Sequence, residues 1–389
     1  MFMILKKVSY RQKEAVLRSA LNRVSKKLPK ESFVSSSPSP FVGRFGYPVV
    51  NLGVLTTLEV SDSAWLYDAP RFWSSENFKI SDIVGLRAEL INSSFKISVK
   101  KFDSVLASVQ EIALSKKPVD VEVKTSKPPG LFFRPDSFMA PVGAFARLQK
   151  FNLTSNPKIP TIVQKFYDDT DCRSVEALTT LYSKGFDETS LSKMLSVGSF
   201  GLEKHRKLVP TRWSITATDD VLGKNLIEEV KDFSLISDFL LFKGVYLGNF
   251  YFVLFFPGKW QFELFESYVA SNEFSTDFES FSGRKDYAGS CAGGYYSVRL
   301  AVLEKLRQLK RQASVLVLRF ISDDYFIPLG VWVTREAARK ALKNQPLKFS
   351  DKNVMLEFMK KISKQNFGVD SSVFFRISRL LSQKSLADF

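Results

Sequence analysis

KDYAGSCAGGYYSVRLAVLEKLRQLKRQASVLVLRFI, residues 285–321, decides the fold class. Ala292-Gly293-Gly294 opens a long helix with Val302, Leu306, Leu309 and Ala313 facing inward. Arg299, Lys305, Arg307, Lys310 and Arg311 fall largely on the outward side. The helix leads into VLVLRFI (315–321), a continuous apolar run of the kind a fully buried strand needs. GVWV (330–333) reads as a further strand, and a helix follows from Thr334. This helix–strand–strand–helix succession layers helices on a sheet. The chain therefore reads as mixed α and β (α+β or α/β). Small residues at a helix start also let a phosphate approach the backbone N–H groups, though close helix–strand packing is their commoner use. Arg307, Lys310 and Arg311 are the phosphate-binding candidates here.

Working outward, two basic helices (about 351–364 and 371–382) close the C-terminal part. Upstream, the polar, acidic SNEFSTDFESFSG (271–283) marks the expected boundary. It separates an N-terminal domain, 1–270, from a C-terminal domain, 283–380, and a flexible tail, 383–389, follows. GVYLGNFYFVLFF (244–256) and KWQFELFE (259–266) read as a hairpin turning at Pro257-Gly258. VDVEV (119–123) alternates as a half-buried strand does. Residues 7–28 form an amphipathic helix with Arg11, Lys13, Arg18 and Arg23 between its apolar positions, ended by Pro29. Residues 127–160 are Pro-rich and irregular, and WLYDAPRFW (65–73) reads as aromatic core packing around Asp68, Pro70 and Arg71.

The 389 residues contain two cysteines, Cys172 and Cys291, and one histidine, His205. That supply excludes a Cys-rich zinc site, a disulfide framework and most His-dependent catalysis. No apolar run is long enough to span a membrane, and the N-terminus does not read as a signal peptide, so a cytoplasmic protein is expected. The net charge of +16 is concentrated at the ends: residues 1–31 and 339–389 each carry a net +7. Such placement is the electrostatic footprint of a polyanion-binding protein, with DNA the expected partner.

Between those ends, KLVPTRWSITATDD (207–220) stands out. Lys207 follows Lys204, His205 and Arg206, and Arg212-Trp213 sets a planar five-donor cation beside a flat stacking surface. ATDDVLGKNLIEEVKDF (217–233) is expected to start a helix, with Asp219 or Asp220 as its cap. Asp168, Asp169 and Asp171 sit before another helical pattern, where capping is the commoner role. Arg44, between Gly43 and Gly46, is a further anion-binding candidate, although its loop matches neither a P-loop nor a dinucleotide fingerprint. The catalytic alternative draws on Arg212, Asp219, Asp220, Asp169 and Asp171, as a metal-dependent nuclease or hydrolase of nucleic acid or a nucleotide-derived modification. Mg²⁺ enters only under that alternative; no cofactor and no zinc are otherwise expected.

The chain ends QKSLADF: Gln383, Lys384, Ser385, Leu386, Ala387, Asp388, Phe389. Gln383, Leu386 and Phe389, spaced i, i+3, i+6, stack along one face of a short 3₁₀ turn. This is similar to the peptide that docks partners on the sliding clamp PCNA, with one terminal aromatic where the usual motif has two. Together with FVGRFGYPVVNLG (41–53), MLSVGSFGLEKHRKLVPTRWSITATDD (194–220), YLGNFYFVLFFPGKWQFELFE (246–266) and AGGYYSVRLAVLEKLRQLKRQASVLVLR (292–319), the chain resembles the archaeal Nre family of DNA repair proteins. The resemblance implies a role in DNA damage repair with recruitment by PCNA through the terminal peptide. Some members of that family carry clustered N-terminal cysteines, which this chain lacks, so zinc is not carried over.

Overall fold

The computed structural model describes residues 10–131, 143–271 and 273–382, and the chain divides into two compact units. The first comprises residues 10–222 with 327–330. Its strands are β1 (Ser32–Ser37), β2 (Ser39–Val42), β3 (Val49–Thr56), β4 (Ile91–Ser98), β5 (Val119–Thr125), β6 (Gly130–Leu131) and β7 (Ala144–Leu153). They form one sheet in the order β1-β5-β7-β4-β3-β2, with β6 on β7; β4 and β7 pair in parallel and the rest are antiparallel.

Only Pro38 separates the two edge strands, β1 and β2. Proline has no N–H to give a ladder, so it suits a corner at a sheet edge. The bend curls the sheet on itself: the Ser37 hydroxyl donates to the Leu55 carbonyl at 2.8 Å, and the Thr57 N–H to the Ser36 carbonyl at 3.0 Å. The alternation in β5 behaves as expected, with Val119, Val121 and Val123 buried and Glu122 and Lys124 exposed.

The helices of this unit are α1 (Tyr10–Ser25), α2 (Pro70–Ser75), α3 (Ile80–Ala88), α4 (Ser104–Leu114), α5 (Thr161–Asp168), α6 (Ser174–Ser183) and α7 (Glu188–Ser196). Leu106, Val109 and Ile112 of α4 pack with the inward valines of the sheet and with Val197 and Leu208 in one core. The basic helix α1 packs on α3, burying Ala20 and Val24, while Arg18 and Arg23 stay exposed.

Helix α8 (Thr211–Lys231) corrects one expectation. Asp219 and Asp220 do not cap it; they lie in its middle, with Asp219 fully buried. The helix starts at Thr211, eight residues before Asp219, where the Pro210 carbonyl accepts the Trp213 and Ser214 N–H groups. The hydroxyl-rich TRWSITAT had masked helical periodicity, because Ser214 and Thr218 occupy buried positions.

The second unit comprises residues 223–326 and the described residues from 331 onward. Its strands are β8 (Phe239–Tyr246), β9 (Asn249–Phe256), β10 (Gln261–Tyr268), β11 (Phe274–Glu279), β12 (Ser314–Ile321) and β13 (Leu347–Phe349), in the order β11-β10-β12-β9-β8-β13. Its helices are α9 (Gly293–Leu309), α10 (Trp332–Lys343), α11 (Lys352–Phe367), α12 (Ser372–Ile377) and α13 (Arg379–Ser382). Phe252, Leu316, Phe320, Met355, Met359, Phe367 and Phe374 form the core beneath α11–α13. On α9, Tyr295 meets Phe262 at 5.1 Å, and α10 packs on α9, β8 and β9. Helices thus cover the sheet on both sides, and every residue of β12 is buried, as its apolar run requires.

The hairpin expected at Pro257-Gly258 is not formed. β12 enters between β9 and β10, antiparallel to one and parallel to the other, with α9 in the crossover. The actual hairpin joins β8 to β9 through Leu247 and Gly248, both at positive φ (49° and 72°), as a two-residue type I′ turn demands. GVWV is not a strand either; Trp332 begins α10 and packs against Tyr246. Four apolar residues carry too little periodicity to separate the two states. The polar stretch 271–283 contributes β11, paired along its length with β10, and the compact units part between Leu222 and Gly223.

Candidate functional site

Two separate sequence candidates meet in the first unit. The β2–β3 connection runs Gly43-Arg44-Phe45-Gly46-Tyr47-Pro48, with a cis Tyr47–Pro48 peptide. Gly46 has φ +87°, and a Cβ there would stand 2.7 Å from the Val49 carbonyl, so the loop needs glycine. The loop lies against the first turn of α8. The Val42 N–H donates to the Thr211 hydroxyl at 2.9 Å, and Thr211 also meets the Ser196 hydroxyl at 3.3 Å. The approach to the helix is fixed by Leu208 N–H on the Val99 carbonyl and Val209 N–H on the Ser196 carbonyl.

The result is an exposed surface of cations and rings. The Tyr47 and Trp213 rings lie 5.4 Å apart at 50°, and Trp213 remains 46% exposed. The Arg44 guanidinium sits 4.8 Å over the ring of Phe45, itself 68% exposed. Arg212, next to Trp213 in the chain, is exposed, as is Lys207. Leaving three aromatics in water is unfavourable unless a partner covers them. Rings interleaved with arginine at a helix N-terminus offer stacking and anion contacts together.

Other candidates fall elsewhere. Arg206 spends its guanidinium on three carbonyls, those of Gly201 (2.8 Å), Tyr167 (2.7 Å) and Asp169 (2.7 Å). Asp168 and Asp169 end α5 rather than starting the next helix. The Asp169 carboxylate accepts the Asp171 and Cys172 N–H groups in a turn, while Arg173 takes the N-cap of α6. Asp219 is enclosed in α8, and no group of three or more His, Cys, Asp or Glu side chains among the described residues could hold a metal ion. Arg307, Lys310 and Arg311 lie at the C-terminal end of α9 in the second unit, where cations complement the helix dipole; Arg307 pairs with Glu229 at 3.2 Å. Gln383, Lys384, Ser385, Leu386, Ala387, Asp388 and Phe389 lie outside the described residues.

Two charge networks escaped the sequence reading. In the second unit Arg299 is buried, not outward, and donates to Glu279 at 2.6 Å. Glu279 also accepts the Trp260 indole N–H at 3.1 Å. Arg319 pairs with Glu266 and forks onto the Asn249 side-chain Oδ1. A Cβ on Gly294 would meet the Glu266 carboxylate at 2.7 Å, so the chain's own carboxylate stands at the glycine-rich start of α9. An arginine inside the otherwise apolar VLVLRFI was the available signal. In the first unit, Asp68 bonds Arg87 (3.0 Å) and Lys193 (2.8 Å). Burial alone would raise its pKa; Lys193 and Arg87 more than offset that and hold it at about 2.

A mixed α/β protein of two units, with a cation-and-ring surface on the first, is the class that these features define. Family models describe the same chain as "Archaeal Nre, N-terminal" over residues 12–275 and "Archaeal Nre, C-terminal" over 279–389. The chain belongs to the archaeal Nre family. It is 36% identical to "DNA repair protein NreB" of Archaeoglobus fulgidus over 91% of each chain. It is 39% identical to "DNA repair protein NreA" of the same organism over 80% of each chain. A third relative, "DNA repair protein NreA" of Haloferax volcanii, is 36% identical over 79% of this chain and 77% of its own. No solved structure matches the chain. No helix among the described residues is long and apolar enough to cross a membrane.

Proposed function

We propose that this chain is a DNA repair factor. It contacts DNA through the Arg44–Tyr47 loop and the Arg212-Trp213 helix start, and PCNA recruits it through Gln383–Phe389. The juxtaposition of Tyr47 and Trp213, with arginines alongside, is the observation that carries the DNA-contact reading. Stacking rings beside cations suit unpaired bases on a backbone. The basic ends add salt-dependent attraction to phosphates, with Arg18 and Arg23 of α1 among them. Support for repair comes from the relatives' names, carried across most of both chains. The clamp contact rests on the spacing of Gln383, Leu386 and Phe389. The cytoplasm is the compartment where such a factor would work.

The test is survival of DNA-damaged cells lacking the protein, complemented by the wild type or by R212A/W213A. Restored survival with the wild type and loss with the variant are expected. Equal rescue by both would remove the surface from the function, and no rescue by either would remove the repair role.

A further inference from the structure

A cleft of about 250 Å³ on the first unit shares no residue with the Trp213 surface. Asp68 lies in its lining, Trp65 and Phe72 flank it, and Lys116, Lys117 and Lys193 supply cations. The aromatics of WLYDAPRFW were expected to pack in the core around Asp68, Pro70 and Arg71. Trp73 obeys, at 1% exposed, but Trp65 is 45% exposed and meets Phe72 edge-on at 5.0 Å.

The acids of the cleft are already committed. Asp68 is matched by Arg87 and Lys193, and Asp187 accepts the Ser190 N–H and hydroxyl at the start of α7. Arg71 is held by the buried Glu188. Lys116 and Lys117 are exposed and form no ion pair among the described residues. Pro38, Pro70 and Pro118 border the space, each with its φ fixed by the ring. A flat, half-exposed indole beside two uncommitted ammonium groups matches a base and its phosphate. The space suits one nucleotide and is too small for a duplex.

We propose that this cleft binds a single phosphate-bearing nucleotide, free or at the end of a DNA single strand, with the base on Trp65 and the phosphate on Lys116 and Lys117. It goes beyond the Trp213 surface and stands or falls separately from it.

The full-length chain would be titrated with deoxyadenosine 5′-monophosphate, deoxyadenosine, and a short 5′-phosphorylated single strand, read by tryptophan fluorescence. The monophosphate should quench, and W65F should abolish the quench. K116E/K117E should weaken binding by about tenfold or more without lowering Tm, and deoxyadenosine should bind about tenfold more weakly than the monophosphate. W213A should leave the monophosphate quench intact. Tighter binding of the strand than of the monophosphate assigns the site to strand ends, and equal binding assigns it to free nucleotide. The proposal is overturned if the monophosphate gives no quench at millimolar concentration, or if the quench survives W65F or K116E/K117E.

Discussion

Tyr47 and Trp213, 166 positions apart in sequence, bring their rings to 5.4 Å with planes tilted by 50°. Tyr47 stays 44% exposed and Trp213 46% exposed, so both rings remain open to a ligand. Trp213→Ala should weaken single-stranded DNA binding by ~1–3 kcal/mol, the usual worth of one stacked base. Tyr47→Ala should act in the same direction. Isothermal calorimetry with a short oligonucleotide checks both, and unchanged affinity in the two variants would remove stacking from the account.

Arg206 and Arg212 are near neighbours in sequence with opposite assignments. Arg206 ties together the carbonyls of Tyr167, Asp169 and Gly201. Arg206→Ala should therefore cost about 1.5–3 kcal/mol of stability, the scale of a hydrogen bond to a charged group, and lower Tm. Arg212→Ala should leave Tm unchanged. Thermal melts of the two variants side by side decide this, and a large Tm loss in Arg212→Ala would mean that Arg212 is structural.

Asp68 titrates lower in the folded chain, at about 2, than its ordinary value of 3.8. A depressed carboxylate stabilises the fold above its unfolded pKa, and that stability is lost as pH falls through the folded value. The shift corresponds to about 2 kcal/mol, present at neutral pH and lost between roughly pH 4 and pH 2. Asp68→Asn should be less stable by that amount at pH 7, with denaturant curves converging on the wild type toward pH 2. A constant gap across that range would contradict the pairing.

The sequence made some of this legible, for identifiable physical reasons. Period-two alternation in VDVEV and the apolar run VLVLRFI each had one consistent placement, and both strands form there. Pairing order is different, because it depends on which distant strand inserts. Nothing local to Pro257-Gly258 signals that β12 will separate its flanks. Arg44 and Arg212 could each be singled out, but their approach depends on Thr211 accepting the Val42 N–H, a contact across 169 residues. The buried carboxylates were hidden because a lone charge on a strand or helix reads as solvated until its partner is known.

The second unit makes one such pair testable. Arg299 and Glu279 are both about 1% exposed and bonded at 2.6 Å. Removing one partner leaves the other charged in the core, so Arg299→Met should cost ~3–5 kcal/mol. The double variant Arg299→Met/Glu279→Gln should recover part of that loss. Urea denaturation reads both, and a cost under 1 kcal/mol for Arg299→Met, roughly that of a surface pair, would contradict the buried-pair account.

The proposed clamp contact rests on Gln383, Leu386 and Phe389. Truncation to residues 1–382 should abolish binding to the cognate clamp in calorimetry. Equal affinity for the intact and truncated chains would show that Gln383–Phe389 does not dock.

Fluorescence anisotropy of labelled DNA against the full-length chain, across a salt series, tests the central claim most directly. The account predicts binding at low salt that falls linearly on a log–log plot as salt rises, with R212A/W213A weaker by about tenfold or more and its salt slope shallower by about one phosphate contact. No binding even at low salt, or identical affinity and slope in wild type and R212A/W213A, would contradict it.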